Sequence, residues 1–390
     1  DIEYLKENLS TNLFDKRLGS TKFPLQSGIW RFRELVHPLA EDKHIISRPE
    51  GNTNLYRHPN LVEFSDIKNI SLKHEGENPT GSFKDRGMSP GVTEARRVGK
   101  QTVACASTGN TSASMTAYAS MGGLTPVVFI PEGMIAYGKL AQALAYGAKV
   151  LQIEGNFDKA MSLVQESCDE LGMYLLNSIN PFRLEGQKTI IYEILQQKGW
   201  EPPDWIVVPA GNLGNTSAFG KAFKELYEIG LISKVPRIAA IQATGSNPFY
   251  QTITSDSQNL LAVEDPETLA TAIKIGNPVS WRRAKQTIEY TRGVVAEVTD
   301  QQIMDAKAVI DGSGIGCEPA SAASLAGAGK LRREGVIDSK EEVVCITTGH
   351  ILKDPDATVN YHLGKLYPDA AYMNNPHKIK PTLDEVKKHL

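Results

Sequence analysis

The chain has 390 residues, of which 41% are hydrophobic and 22% charged, a composition that is ordinary for a folded globular protein and argues against disorder. The length predicts about two or three domains. The formal net charge of −3 gives no broad basic surface for nucleic acid or an anionic membrane, and no run of about 18 apolar residues predicts a membrane-spanning helix.

The cysteines and the first residues bear on the compartment. The four cysteines are scattered and form no CxxC pair, so we expect a reducing, cytoplasmic environment without disulfides. No spacing of histidines and cysteines indicates a metal site. Residues 1–10 lack the basic-then-apolar profile of a secretory signal, and we therefore expect no secretion.

Strand-like and helix-like segments alternate through most of the chain. Short apolar runs predict strands at 102–107, 127–131, 150–153, 205–209, 238–241, 294–298 and 343–347. Small residues or helical spacing of apolar residues predict helices at 111–121, 157–171 and 216–229. This alternation predicts βαβ units and a mainly parallel sheet that helices cover on both faces. We expect irregular structure at 245–278 and a short surface helix at 383–390.

The first candidate site segment is residues 78–87, NPTGSFKDRG. Pro and Gly mark a turn, and Thr80 or Ser82 can cap a helix that begins near Lys84. The helix dipole disfavours a charged lysine in the first turn by roughly 0.3–1 kcal/mol, and burial disfavours the charge further. Both effects favour the neutral amine that forms Schiff bases, although a lone lysine is more often exposed to water.

Three predicted strands run into turns at the edge where ligands of parallel sheets bind. Residues 107–111 (STGNT) offer hydroxyls and N–H groups that suit a small oxyanion, although for this segment alone a helix cap is the favoured explanation. Residues 211–215 (GNLGN) suit a phosphate at a helix N-terminus, but their spacing is neither GxGxxG nor a P-loop, and a plain turn also explains them. Residues 347–350 (TTGH) place hydroxyls at the same edge.

The segments in combination are much more specific than each one alone. In this order, NPTGSFKDRG, ASTGNTSAS, GNLGN and TTGHILKDP resemble the pyridoxal-phosphate-dependent enzymes of fold type II, the tryptophan-synthase-β-like family. The longer runs LLNSINPFRLEGQKT, PETLATAIKIGNPVSW and CEPASAASLAG resemble its threonine synthase branch, and the resemblance covers about residues 50–356. It implies an α/β fold of two mainly parallel sheets covered by helices, in a large cofactor-binding domain (1–88 and 179–390) and a small mobile domain (89–178).

The resemblance also implies how pyridoxal 5′-phosphate is held. Lys84 would attach the cofactor as a Schiff base and serve as the catalytic base. Asn110 would donate to its 3′ oxygen, and Thr348 would contact its ring nitrogen. A hydroxyl can donate or accept, so Thr348 by itself leaves the protonation of the ring open. The residues implied to cradle the cofactor phosphate are Gly211, Asn212, Leu213, Gly214 and Asn215.

The implied reaction is a lyase reaction of threonine biosynthesis. It converts O-phospho-L-homoserine and water to L-threonine and phosphate by γ-elimination and β-addition of water. The guanidinium of Arg183 suits the substrate phosphate because it binds phosphate bidentately, although a lone arginine is more often in a surface salt bridge. The residues implied as further substrate contacts are Ser107, Thr108, Thr111, Ser178 and Asn212. The resemblance implies a homodimer, and without a long N-terminal extension we expect no allosteric activation of the plant type.

Three positions depart from the usual family pattern. Ile351 stands where a glycine is usual, Asn54 where a proline is usual, and Leu213 where a smaller residue is usual. If that glycine needs a positive φ, Ile351 forces a different local path.

Three alternative functions stay open on the same fold. A threonine or serine dehydratase needs no second phosphate site, so Ser178 and Arg183 argue against it. A cysteate synthase would act on phosphoserine, which is one methylene shorter than phosphohomoserine, and one methylene is worth only roughly 1–3 kcal/mol. A non-catalytic ligand sensor would not need Lys84.

Overall fold

The computed structural model describes residues 2–132, 137–155 and 157–390. The strands are β1 (Leu55–Tyr56), β2 (Asn69–His74), β3 (Thr102–Ala106), β4 (Thr125–Pro131), β5 (Lys149–Ile153), β6 (Tyr174–Leu175), β7 (Trp205–Pro209), β8 (Arg237–Ala243), β9 (Val294–Val298) and β10 (Glu342–Thr347). The helices are α1 (Ile2–Asn8), α2 (Thr11–Asp15), α3 (Arg33–Val36), α4 (Pro59–Ser65), α5 (Lys84–Arg97), α6 (Asn110–Met121), α7 (Tyr137–Ala145), α8 (Phe157–Leu171), α9 (Pro181–Gln187), α10 (Thr189–Gln197), α11 (Gly214–Glu228), α12 (Pro248–Thr254), α13 (Trp281–Tyr290), α14 (Asp300–Gly312), α15 (Pro319–Arg333), α16 (Pro355–His362) and α17 (Leu383–Lys387).

The strands form two sheets, which confirms the predicted α/β class. The larger sheet has six strands in the order β1-β2-β10-β7-β8-β9, and only the β1–β2 pair is antiparallel. The smaller sheet has four parallel strands in the order β5-β4-β3-β6. Because parallel strands all point the same way, the turns that follow β2, β10 and β7 leave the large sheet at one edge.

Helices cover both faces of each sheet, so the central strands are apolar on both sides. Along β7, Ile206 and Val208 pack with α10 and α11, whereas Trp205 and Val207 pack with α14 and α15 on the opposite face. The strand β3 shows the same alternation between two smaller cores. The period of two along a strand therefore assigns each side chain to one of two cores.

The seven predicted strands are confirmed, and three strands were missed. The missed strands are β1, β2 and β6. The sequence NISLKH of β2 does not resemble a buried strand because it ends in Lys73 and His74, yet both side chains are buried. The predicted helix 157–171 is confirmed as α8, but 245–278 is wrong as a purely irregular segment, since α12 and a short 3-10 turn lie within it. The division of the chain into two domains stays a prediction.

A buried ion network explains the polar end of β2. The Glu193 carboxylate on α10 accepts hydrogen bonds from Lys73 at 2.9 Å, Arg86 at 2.5 Å and Arg31 at 2.9 Å. Arg86 also donates to both carboxylate oxygens of Glu75, at 2.5 and 2.7 Å. Since a buried charge costs much less free energy when it is paired, this network ties β2, α5 and α10 together.

Helices α5 and α9 cross so closely that a glycine is required at the contact. A Cβ added to Gly186 would lie 1.8 Å from the backbone oxygen of Arg86. Gly87 faces the backbone of Arg183 in the same crossing, where an added Cβ would lie 2.9 Å from its oxygen. The crossing therefore fixes the position of Arg183 relative to the start of α5.

We predict that Gly186→Ala destabilises the fold by about 1–3 kcal/mol, because the added methyl group must push the two helix backbones apart. The matched control is Gly312→Ala at the exposed end of α14, where an added Cβ meets nothing within 4 Å. That control should leave stability unchanged or slightly higher. Urea unfolding midpoints of the two variants measure the difference, and equal midpoints would contradict this account of the crossing.

Candidate active site

The turns after β2 and β10 are joined by backbone hydrogen bonds. The N–H of Phe83 donates to the carbonyl of Thr348 at 3.0 Å, and the N–H of His350 donates to that of Gly81 at 2.9 Å. Ser82 and Gly349 form an antiparallel bridge between these two bonds. The structure thus brings the lysine segment and the TTGH segment together, because β2 and β10 are neighbours in the sheet.

Lys84 is the first residue of α5 and is only partly exposed. Its amine lies 4.0 Å from the centre of the Phe83 ring and makes no hydrogen bond or ion pair among the residues that the structure describes. Loss of hydration, and then the charge of Arg183, lower the pKa of this amine to about 7, against a smaller opposing effect of Glu318. The expected neutral lysine at the start of a helix therefore has a physical basis.

The predicted capping of this helix is wrong. The N-cap residue is Phe83, which supplies no side-chain acceptor. The Ser82 hydroxyl accepts from the N–H of Lys84 only at 3.4 Å, and the Thr80 hydroxyl donates instead to Asp85 at 2.5 Å. Because Phe83 supplies no capping oxygen, Lys84 lies at the positive end of the helix dipole.

Glu318 joins Asn110 to Thr348, and the sequence analysis did not assign it a role. The Asn110 amide donates to both Glu318 oxygens, at 3.3 and 3.0 Å, and the Thr348 hydroxyl lies 3.2 Å from Glu318 Oε1. Asn110 follows β3 of the small sheet, whereas Thr348 follows β10 of the large one. One signal was present in the sequence, since Glu318 directly precedes the proline that starts α15 within a run that carries the family resemblance.

The GNLGN turn begins α11 and has the geometry of an anion site. Leu213 is the N-cap residue with a φ of 63°, so a left-handed residue turns the chain into the helix. Behind it, Asn215 Oδ1 and Thr216 Oγ1 are buried and have no hydrogen-bond partner among the described residues. The Thr216 hydroxyl, which can donate beside a helix N-terminus, fits a bound phosphate, whereas Asn215 could serve a phosphate only through its N–H₂ group. The helix starts two residues earlier than predicted.

Arg183 is a buried cation without a carboxylate partner in the described part of the chain. Its side chain is 1% exposed, Nη1 donates to the Leu176 carbonyl at 3.0 Å, and Nε has no partner. Burial lowers the pKa of this guanidinium to about 10. The lone-arginine alternative, a surface salt bridge, is therefore wrong for Arg183. A buried arginine in this state needs an anion from outside the chain.

Several of the predicted substrate contacts are polar groups with free hydrogen-bonding capacity. The Asn177 side chain bonds both backbone groups of Ala106, at 3.0 Å each, and so holds Ser178 against the end of β3, where Ser107 follows. The Ser107 hydroxyl accepts from the Gly109 N–H at 3.2 Å. Partly buried side chains without a hydrogen bond among the described residues are those of Thr108, Thr111, Ser178 and Asn212.

Of the three positions that depart from the family pattern, only Leu213 has a positive φ, the backbone region that is unfavourable for residues other than glycine. Ile351 lies in a 3-10 turn and is not among the residues with a positive φ, and its side chain packs toward Gly316. At the second departure, the N–H of Asn54 donates to Glu77 at 2.7 Å and its amide donates at 3.0 Å. Since proline has no N–H, the usual residue at this position would leave out the first of these bonds.

Comparisons with known proteins agree with the arrangement of these loops. Residues 46–349 match the family model described as pyridoxal-phosphate dependent enzyme. The chain is 48% identical to a threonine synthase of Methanocaldococcus jannaschii, over 92% of this chain and 87% of the relative, and 50% identical to one of Methanosarcina acetivorans, over 85% and 82%. Its fold is similar to that of Escherichia coli threonine synthase, with a TM-score of 0.66 and 19% identity over 100% of this chain and 89% of the other.

The described residues were also searched for groups of other kinds. They hold no cluster of His, Cys, Asp and Glu side chains that could bind a metal ion. Among the same residues, no helix has both the length and the apolar character that crossing a membrane requires.

We predict that the Lys84 amine of the cofactor-free protein reacts with acetic anhydride with a half-maximal rate near pH 7, because only the neutral amine is nucleophilic and the folded protein loses this proton about three units below an ordinary lysine. In Arg183→Met the half-point should move to higher pH, since a neighbouring positive charge is removed. Mass spectrometry of the labelled peptides, with exposed Lys68 as the internal reference for the reagent, gives both values. A half-point above pH 9 would contradict the proposed environment.

Proposed function

The chain belongs to the pyridoxal-phosphate-dependent enzymes and, within them, to the threonine synthases, and from this premise we propose that it converts O-phospho-L-homoserine and water to L-threonine and phosphate. The observation that carries the choice of substrate is Arg183, which is buried, charged and unpaired in the described part of the chain. A phosphate group on the substrate would supply the missing anion.

The proposed position of that phosphate follows from the crossing of α5 and α9. Arg183 lies close enough to Lys84 for the two positive charges to lower the pKa of the amine. A substrate that reaches the Lys84 amine with its reacting carbons can therefore place a terminal phosphate on Arg183. Ser178, Thr111 and Asn212 are proposed as neutral donors to the same phosphate, and Ser107 and Thr108 as contacts of the substrate carboxylate.

The residues of the GNLGN turn fit the phosphate of pyridoxal phosphate. The orphaned Thr216 hydroxyl, which can donate, and the free N–H groups at the start of α11 suit an anion. The bound cofactor supplies an electron-accepting ring that stabilises negative charge on the adjacent substrate carbon. Asn110 is proposed to donate to the 3′ oxygen of this ring and Thr348 to contact its nitrogen.

Lys84 is proposed to attach the cofactor and then to move protons between substrate carbons. A pKa of about 7 makes its amine both a nucleophile and a general base near neutral pH. The Lys84 side chain is partly buried and its amine lies against the Phe83 ring, which limits the access of bulk water to that amine. Arg183 is proposed to keep hold of the phosphate as it leaves, so that water adds in a closed site.

The alternative functions on this fold fit the site less well. A dehydratase substrate has no phosphate and would leave Arg183 unpaired. Phosphoserine would supply the anion but is one methylene shorter. Its phosphate would therefore reach less far toward Arg183 when its reacting carbons lie at the Lys84 amine. A sensor without catalysis would not need the lysine whose pKa the site lowers.

The finer features of the enzyme are proposals as well. We propose that it is a cytoplasmic homodimer, and the four unpaired cysteines are compatible with a reducing compartment. We also propose that residues 89–178 form the small mobile domain. The strands of the small sheet all lie within this range, and α5 runs across the proposed boundary at residues 88 and 89.

We predict that Lys84→Ala abolishes the Schiff-base absorbance band of the purified protein, because that band requires the covalent bond to the amine, whereas cofactor that stays bound as the free aldehyde absorbs at a shorter wavelength. Spectra of the wild-type protein and of Lys68→Ala, which changes an exposed lysine, provide the comparison. A wild-type protein that stays colourless after incubation with pyridoxal phosphate would support the sensor instead.

We predict that Arg183→Met lowers kcat/KM for phosphohomoserine about 30-fold to a few thousand-fold, because removal of one partner from a buried charge pair costs roughly 2–5 kcal/mol. Met retains most of the aliphatic stem that packs on Gly91. Cofactor absorbance should be retained. Phosphate release and threonine formation are measured for phosphohomoserine and phosphoserine in parallel.

The matched control is Arg332→Met. This arginine is partly exposed, pairs with Asp66 and is not among the residues proposed to bind cofactor or substrate. Its turnover should equal that of the wild type. Undiminished turnover in Arg183→Met would show that the substrate phosphate binds elsewhere. Faster release from phosphoserine than from phosphohomoserine by the wild-type enzyme would favour the alternative substrate.

A further inference from the structure

We propose that Glu318 sets the direction of a hydroxyl chain, Ser321 to Thr348 to Glu318, so that Thr348 can only accept a hydrogen bond from the cofactor ring nitrogen and the ring is held protonated. The inference rests on the proposed function, because it takes Thr348 as the partner of that nitrogen. It assigns Glu318 a positioning role, since the carboxylate acts on the ring through Thr348.

Glu318 is built into the site. It is 2% exposed and is the N-cap residue of α15, but its side chain does not cap the helix. The carboxylate extends instead toward Asn110 and Thr348. The positive end of the 15-residue helix favours its negative charge.

Gly349 leaves the space that this carboxylate needs. A Cβ added to Gly349 would lie 2.4 Å from Cδ of Glu318 and 2.5 Å from Oε1. The backbone N–H of Glu318 donates to the Gly349 carbonyl at 3.0 Å. The glycine of the TTGH segment is therefore explained by the close approach of a carboxylate and not by its backbone dihedrals, since its φ is not in the positive range.

The direction of the chain starts at Ser321. Its hydroxyl oxygen accepts from the backbone N–H of Thr348 at 2.7 Å and from that of Gly349 at 2.9 Å. These two bonds use both of its lone pairs, so Ser321 must donate its own proton. The acceptors within reach are Thr348 Oγ1 at 3.0 Å and the Gly349 carbonyl at 3.5 Å, and the shorter contact is favoured.

Thr348 continues the chain of hydrogen bonds in the same direction, from Ser321 to Glu318. Its hydroxyl oxygen accepts the Ser321 proton, and its own proton has Glu318 Oε1, at 3.2 Å, as the acceptor within the described residues. One lone pair of Thr348 Oγ1 then remains for the cofactor. A lone pair can satisfy a protonated ring nitrogen but not an unprotonated one. The charged carboxylate next to Thr348 also favours the positive charge on the ring.

This direction removes the ambiguity that a hydroxyl partner leaves. A threonine can donate to a neutral ring nitrogen as well as accept from a protonated one, and only the groups behind it decide. A protonated ring withdraws electrons more strongly, which suits a reaction that develops negative charge on more than one substrate carbon. Glu318→Gln removes the charge and, with its amide oxygen turned toward the shorter Asn110 contact, offers Thr348 an N–H donor, whereas Glu318→Ala removes the acceptor altogether, so that the hydroxyl proton can turn to the ring.

The test is nitrogen NMR of the ring. The cofactor-free protein is reconstituted with pyridoxal phosphate that carries ¹⁵N in the ring, and visible absorbance verifies loading of each variant. We expect the wild-type ring nitrogen at the pyridinium shift and that of Glu318→Gln at the neutral pyridine shift. The matched control is Glu334→Gln, at the exposed other end of α15, which should keep the pyridinium shift.

Each outcome decides the proposal. A neutral ring in the wild-type protein overturns it, and so does a pyridinium ring that persists in both Glu318→Gln and Glu318→Ala. Glu318→Ala is measured in parallel, since it removes every acceptor that the side chain of residue 318 offers to Thr348, and it decides alone if Glu318→Gln does not fold or bind cofactor. A wild-type protein that takes up no cofactor contradicts the proposed function itself, whereas a loaded protein with a neutral ring contradicts only the role of Glu318.

Discussion

The site depends on one constraint, the close crossing of α5 and α9. Gly87 and Gly186 allow the two backbones to meet, and the crossing places Arg183 close enough to Lys84 for their charges to interact. Neither cation has a carboxylate partner in the described part of the chain. The resulting free-energy cost is reduced in two ways, since the amine can lose its proton near neutral pH and the guanidinium can bind an anion.

Helix α5 also carries a buried charge that does have carboxylate partners. Arg86, two residues after Lys84, is fully buried and donates to both Glu75 and Glu193. A satisfied network of this kind fixes the path of the chain but has no capacity left for a ligand. Arg86 and Arg183 are both buried and lie on the two crossing helices. They differ in their partners, since Arg86 is paired with carboxylates and is therefore structural, whereas Arg183 is not and is the proposed binding arginine.

The predictions from sequence succeeded where the signal is local. The central strands were identified from short apolar runs, and the helix that begins near Lys84 from the turn that precedes it. The missed strand β2 and the missed residue Glu318 share a cause. Each presents charged or polar side chains whose partners lie far away along the chain, as with Lys73 and Glu193, so no pattern of neighbouring residues reveals that they are satisfied on burial.

The sequence by itself determined the alternation of strands and helices, the resemblance to one enzyme family and the residue types proposed to hold its cofactor, because these depend on periodicity and on short contiguous motifs. The tertiary structure decided which of those residues meet and in what protonation state. A pKa near 7 at Lys84, an unpaired charge at Arg183 and a directed hydroxyl at Thr348 all arise from burial and from contacts between distant segments. Such quantities depend on distance and hydration in three dimensions, which the order of residues does not state.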